Sequence, residues 1–362
     1  MVSGVSRAVL SRAAGRRSDG GAGIVAPDGK ERRVGHSLLR LLSGVQHSRV
    51  VWVVVRRVLF SVPLLFLVSA LSFLLVSLTP GDAAEHILGT KATPQQLAAL
   101  RHTLRLDLPV YEQYWRWLGG AIRGNLGTSL FTGQEVSTII RQRLPATLSL
   151  VCVSLLVISV VGVALGVFSA VRGGALGRFV DGLGLIGFAL PGFWVGAVLI
   201  SVFAVKLHWF AAVGYVPLAT SPVGWARSLV LPVTALALSS VSWLAKQTRE
   251  AMLDVLGSEH VRMAWANGIP PRLVYARLAL KNASLTVLTI VGLTTIGLLS
   301  GTVFVEDVFA LPGLGSVLVG STTNGDLPIV QGITVFFTLM IIVINLVVDL
   351  LYTLLDPRVR SS

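Results

Sequence analysis

The sequence predicts an all-α polytopic membrane protein, and three observations carry that expectation. Hydrophobic residues fill 53% of the 362 positions and charged residues only 13%, about half the roughly 25% charged share of a soluble domain. Mean hydropathy is +0.77, which means more apolar surface than a globular protein hides. The apolar residues are gathered into six segments, near 58–78, 147–171, 179–205, 228–245, 283–305 and 329–355. All but the fourth reach the about 20 residues a helix needs to span a bilayer. This composition excludes an ordinary cytosolic enzyme, a disordered chain and a disulfide-built secreted domain.

Residues 1–50 are Arg-, Gly- and Ser-rich, without the early apolar run of a secretory signal. They read as a flexible basic cytosolic extension. Residues 1–57 hold 11 Lys/Arg against 3 Asp/Glu, so much of the formal net charge of +13 precedes the first apolar segment. Few aromatic residues interleave that stretch and no zinc spacing occurs in it, so the charge is a topology signal, not a nucleic-acid footprint. The tail, Arg172, Arg178, the 246–281 segment, Arg358 and Arg360 together hold 21 of the 30 Lys/Arg. The positive-inside rule then places both termini in the cytoplasm.

The outer loop 80–146 carries structure of its own. Thr93-Pro94-Gln95-Gln96 predicts a capping box with proline in the first turn. Leu97, Leu100, Leu104 and Leu106 continue it as an amphipathic helix. Tyr111, Tyr114, Trp115 and Trp117 form an aromatic cluster suited to the bilayer interface or to a docked partner.

Within the apolar segments, Cys152 is expected as a small buried hydrophobe. Gly162/Gly166, Gly192/Gly196 and Gly297/Gly301 offer small-residue helix contacts, and Pro63, Pro191 and Pro232 offer kinks. Gly182, Gly184 and Gly187 match a dinucleotide fingerprint, but they lie inside an apolar segment, so helix packing is the expectation. Gly315 to Thr322 imitates a phosphate loop with Ser321 where lysine is required. The six histidines are scattered and no nucleophile–base arrangement occurs, so no metal, cofactor or catalytic residue is expected.

The inner loop 246–281 predicts a short helix over 259–267. Ser258 stands at its cap, Asn267-Gly268 end it in the left-handed conformation, and Pro270-Pro271 forbid its continuation. Ala264, Ala266 and Gly268 keep one flank slim enough for another protein to approach closely. In the fifth segment Ser284, Thr295 and Thr302 share one face and Thr286, Thr289 and Ser300 the other. In the last, Thr334, Thr338, Asn345, Asp349 and Tyr352 fall within a stripe about 60° wide at about 100° per residue. A polar stripe turns away from lipid. Asp349 is either a structural pair or part of a pathway.

The pieces LTPGD (78–82), GNLGTSLFTGQEV (124–136), RLPATLSL (143–150), GYVPL (214–218), VRMAWANGIPPRLV (261–274), LPGLG (311–315) and LLDPRVR (354–360) occur in this order. With them the chain resembles the inner-membrane permeases of the dipeptide/oligopeptide/nickel class of ABC importers, the first of their two permeases most of all. The resemblance implies a type I importer transmembrane domain over 51–360. It implies a coupling helix, the EAA loop, over 259–268, with Glu259, Arg262, Ala264, Ala266, Asn267 and Gly268 as ATPase-coupling residues. Arg262 stands where the general motif has glutamate. The implied partners are a second permease, two ATPase subunits, an extracytoplasmic binding protein and a peptide; the polar stripe of the last segment offers Thr334, Thr338, Asn345 and Asp349 as path residues. The alternative is an ion-gradient-driven secondary transporter, which predicts half-helix breaks at the midplane and an internal repeat.

Overall fold

The computed structural model describes residues 49–78, 83–89 and 91–355. The basic extension over 1–48, most of LTPGD, and Asp356 to Arg360 lie outside the described residues. Nearly all of the described chain belongs to one compact unit that begins at Trp52.

Among the described residues there are twelve helices. They are α1 (Arg49–Ser77), α2 (Ala83–Leu88), α3 (Pro94–Leu104), α4 (Val110–Ile122), α5 (Val136–Arg172), α6 (Gly174–Ala189) and α7 (Gly192–Leu199, drawn out as a π-helical segment Ile200–Lys206). Then come α8 (Pro222–Leu256), α9 (Glu259–Ala266), α10 (Pro271–Val308, π-helical over Val274–Ala279), α11 (Leu314–Asn324) and α12 (Leu327–Leu355). Stretches of α1, α5, α8, α10 and α12 are long and apolar enough to cross a membrane.

The third expected span, 179–205, is not continuous. Leu190 is extended and Pro191 follows it, since a proline removes a helix donor and biases its predecessor away from the helical region. Helices α6 and α7 cover this stretch in two pieces. The fourth expected span, 228–245, is in fact 35 residues long, Pro222–Leu256. Its charged end stays helical because Arg249 donates to both carboxylate oxygens of Asp181 on α6 at 3.0 Å, and Lys246 pairs with Glu250. The 246–281 loop therefore shrinks to short joints on either side of α9. The 80–146 loop ends early too: α5 starts at Val136 because Val136, Ile139 and Ile140 bury against Ile329 and Ile333.

Helix α8 is the centre of the bundle. Along α5, Gly162 faces Leu244 and Gly166 faces Thr248 and Ala245, so α5 and α8 run parallel. Along α6, Gly177, Gly184 and Gly187 meet Arg249, Lys246 and Ser242 in descending order, so α6 runs antiparallel to α8. The dinucleotide-like glycines are helix-packing positions, except Gly182, which faces open space. A core of Leu150, Ile158, Leu236, Leu298 and Phe309 fills the interior. Gly196 meets Phe309 and Gly301 meets Leu236, whereas Gly297 touches nothing.

Thr93 makes the expected capping box with Gln96 at the start of α3. The aromatic cluster turns inward: Tyr114 is buried, lies 2.9 Å from Ser69 Oγ, and packs edge-on against Phe66 and Phe73. It clamps α4 to α1, while Tyr111 and Trp115 stay exposed. Cys152 corrects its expectation. It lies on an exposed face of α5, because the buried stripe there runs through Leu150, Val151 and Ser154 instead.

Candidate functional site

Two ends of the bundle carry the chemistry, and α9 lies at one of them. Its inner side is seated by Val261 and Ala264, which bury against Val274 with Val255, Leu256 and Leu278 around them. The other side is bare: Glu259, Arg262, Met263, Ala266, Asn267 and Gly268 are exposed, Met263 at 66%. Trp265 rests edge-on against Tyr275 with ring centroids 5.9 Å apart. Gly268 takes φ 72°, and its N–H donates to the Trp265 carbonyl while Ile269 N–H donates to that of Ala264. A left-handed glycine thus ends the helix where the sequence placed it. Two expectations change. Ala264 belongs to the seat, not to the slim outer flank. Ser258 stands at the cap position but donates its hydroxyl to the Val255 carbonyl and makes no side-chain cap.

The opposite end gathers motifs far apart in the chain. Glu306, fully buried at the end of α10, accepts from Thr147 Oγ1 at 2.7 Å, Gly315 N at 2.6 Å and Ser316 N at 3.2 Å. Thr147 Oγ1 in turn accepts from Leu314 N at 2.8 Å. The carboxyl group thereby fastens α5, α10 and the first turn of α11, where free N–H groups favour an acceptor. Gly313 leaves room for it, since a Cβ there would overlap the Glu306 carboxyl. Tyr215 lies 3.0 Å from Ser149, and Gly214 N donates to the Phe309 carbonyl. Ser129 donates to Asp326 Oδ2 at 2.6 Å, and Leu130 N to Oδ1 at 3.2 Å. GNLGTSLFTGQEV, RLPATLSL, GYVPL and LPGLG are thus parts of one assembled end. Their sequence order showed the family but not these pairings.

The α12 stripe is only partly open. Thr338 is buried and donates to the Thr334 carbonyl of its own helix. Asp349 is paired with Arg57 of α1, Arg57 Nη2 donating at 2.8 Å. Thr334 and Asn345 are half-buried. Gln331, on the same helix, meets Ser72 Oγ of α1 at 3.1 Å. Helix α10 shows a clearer open face. Thr286, Leu293, Gly297, Ser300 and Phe304 are all exposed and fall within about 60° of one another at about 100° per residue. Thr295 and Thr302, by contrast, are buried within the chain. Among the described residues no cluster of His, Cys, Asp and Glu could hold a metal ion.

Comparison with known proteins agrees with this architecture. The family described as binding-protein-dependent transport system inner membrane component matches residues 162–361, and its N-terminal counterpart matches 50–151. A Brucella abortus (strain 2308) protein, named for a peptide transport system as its permease, is 40% identical over 308 residues, covering 85% of this chain and 98% of that protein. The oligopeptide transport system permease protein AppB of Bacillus subtilis (strain 168) is 36% identical over 311 residues, with the same two coverages. The glutathione transport system permease protein GsiC of Escherichia coli O6:H1 is 37% identical over 308 residues, again covering 85% and 98%. The chain belongs to the binding-protein-dependent transport system inner membrane components, and it is a multi-pass permease subunit of an ABC importer, not an ion-gradient-driven carrier.

Proposed function

We propose that the chain is the first-type permease of a peptide importer and carries no catalytic step of its own. One of two ATPase subunits docks on α9, a second and different permease completes the path and receives the other, and a binding protein delivers peptide to the opposite end. Both termini and α9 then lie in the cytoplasm. The observation that carries this reading is the two-sided character of α9: one face is fixed to the bundle by Val261 and Ala264, and the other is bare along its length. A helix anchored on one side passes movement of a docked protein into α8 and α10, between which it is strung. The coupling surface is Glu259, Arg262, Ala266, Asn267 and Gly268, with Ala264 as the seat.

The open face of α10 supports the second permease. Thr286 and Ser300 put hydroxyl groups on a membrane helix where nothing among the described residues covers them, and polar groups at that depth turn to protein or to a water-filled path. We place the path along this face, with Thr334 and Asn345 of α12 as further candidates. Thr338 and Asp349 serve packing. Peptide as the cargo rests on the names of the relatives.

Uptake by vesicles tests the reading. The chain, assembled with a second permease, ATPases and binding protein, is expected to take up labelled peptide only when ATP and the binding protein are both supplied. Transport that persists without the ATPases under an ion gradient overturns it.

A further inference from the structure

At the end opposite α9 lies a cavity of about 260 Å³ between the 129–134 turn, the start of α5, α11 and the start of α12. Its walls include Arg143, Gln142, Asn324, Ser321 and Asp326. Arg143 is half-buried, lines the cavity, and has no hydrogen-bond or ion-pair partner among the described residues. A guanidinium offers five donors in a planar fork that matches a carboxylate. The other polar groups are arranged to leave donors over. Gln142 Oε1 already accepts from Gln134, so its amide N–H groups remain. The oxygens of Asp326 are taken up by Ser129 and Leu130 N.

The wall is also stiff. Ser129 Oγ accepts from Phe131 N at 3.2 Å and from Thr132 N at 3.0 Å, while its own proton goes to Asp326. Thr128 and Glu135 bridge the base of the turn. A site held this way before its ligand arrives loses little conformational freedom on binding. The volume decides how much enters. Pockets that enclose a whole ligand start near roughly 300 Å³, so this one suits a single side chain better than a whole peptide.

We infer that this cavity is a docking socket in which Arg143 receives an acidic side chain of the extracytoplasmic binding protein. The inference rests on the importer reading and on the orientation proposed above. It adds the residue that fixes the partner's register, since a charge met in a shaped recess sets orientation as well as attraction.

The test uses the assembled transporter in vesicles, with ATPase rate followed against binding-protein concentration at low and at physiological salt. In wild type the half-saturating concentration is expected to rise with salt. Arg143→Glu is expected to raise it about tenfold or more at low salt and Arg143→Gln severalfold, both flattening the salt dependence, while Arg143→Lys recovers most of the loss. An unchanged half-saturating concentration in the Glu and Gln variants overturns the socket. Variants that keep that concentration but stop distinguishing peptides with free and amidated C-termini would show that the substrate fills the cavity, and that result also overturns it. A wild-type assembly that shows no ATP-dependent uptake strikes the importer reading instead, so the two failures are distinguishable.

Discussion

Glu306 shows what single residues do in this fold. Three donors converge on one buried carboxyl group, and two of them are backbone N–H groups that a side-chain change cannot remove. Each buried donor left without an acceptor costs roughly 1–3 kcal/mol. Glu306→Ala is therefore expected to destabilise the chain by about 3 kcal/mol or more, and Glu306→Gln by less, because one amide oxygen still accepts. Thermal unfolding of the purified chain in detergent reads both; equal melting of wild type and Glu306→Ala would refute the cradle. None of this was legible in the sequence. Glu306 falls at the border of the fifth apolar segment and reads as a loop charge, and its side-chain partner lies 159 positions away. Asp349 was legible as a polar position in a span, but its ion-pair partner Arg57, 292 positions away, was not. Arg143 reads in the sequence only as a cation of the outer loop 80–146.

Helices repeat the lesson with glycine. Gly182 and Gly187 belong to one motif by spacing, yet a Cβ at Gly187 would come within 2.7 Å of Ser242, and one at Gly182 meets nothing within 4 Å. Gly187→Ala is expected to cost about 1–3 kcal/mol through overpacking, and Gly182→Ala to gain about 0.5–1 kcal/mol from helix propensity. Melting temperatures of the two variants, falling and rising respectively, check the pair; a common direction would contradict the packing. Apolar runs, caps and proline breaks were legible because they are local. The capping box at Thr93 and the left-handed end at Gly268 appear where the sequence puts them. Boundaries were less so. The α8 helix outruns its apolar stretch because Asp181, 68 positions from Arg249, receives its charge, and hydropathy alone cannot see such a pair. The aromatic cluster was visible, while its clamp on α1 depends on Ser69 and Phe73.

The whole molecule has two unlike ends, and sidedness is testable. In a chain with Cys152→Ser, a cysteine in place of exposed Thr323 on α11 is expected to react with a membrane-impermeant maleimide in intact cells. One replacing exposed His260 on α9 is expected to react only after permeabilisation. The reverse pattern would invert the proposed orientation. The family was legible because several long motifs stand in order, and five of the apolar segments appear as helices long enough to cross a membrane. The assembled end was not legible, because order in sequence says nothing of which motif touches which. The tie between Arg57 and Asp349 has a consequence for biogenesis. The two residues are 292 positions apart, and at roughly 5–20 residues per second a ribosome needs on the order of 15–60 s to make the second after the first. During that interval Arg57 lacks this carboxylate, and its long stem lets the charge reach toward the headgroup layer. Among the described residues its ion-pair partner is Asp349 of the last helix. A chain cut short before Asp349 therefore retains an α1 whose Arg57 lacks this carboxylate partner.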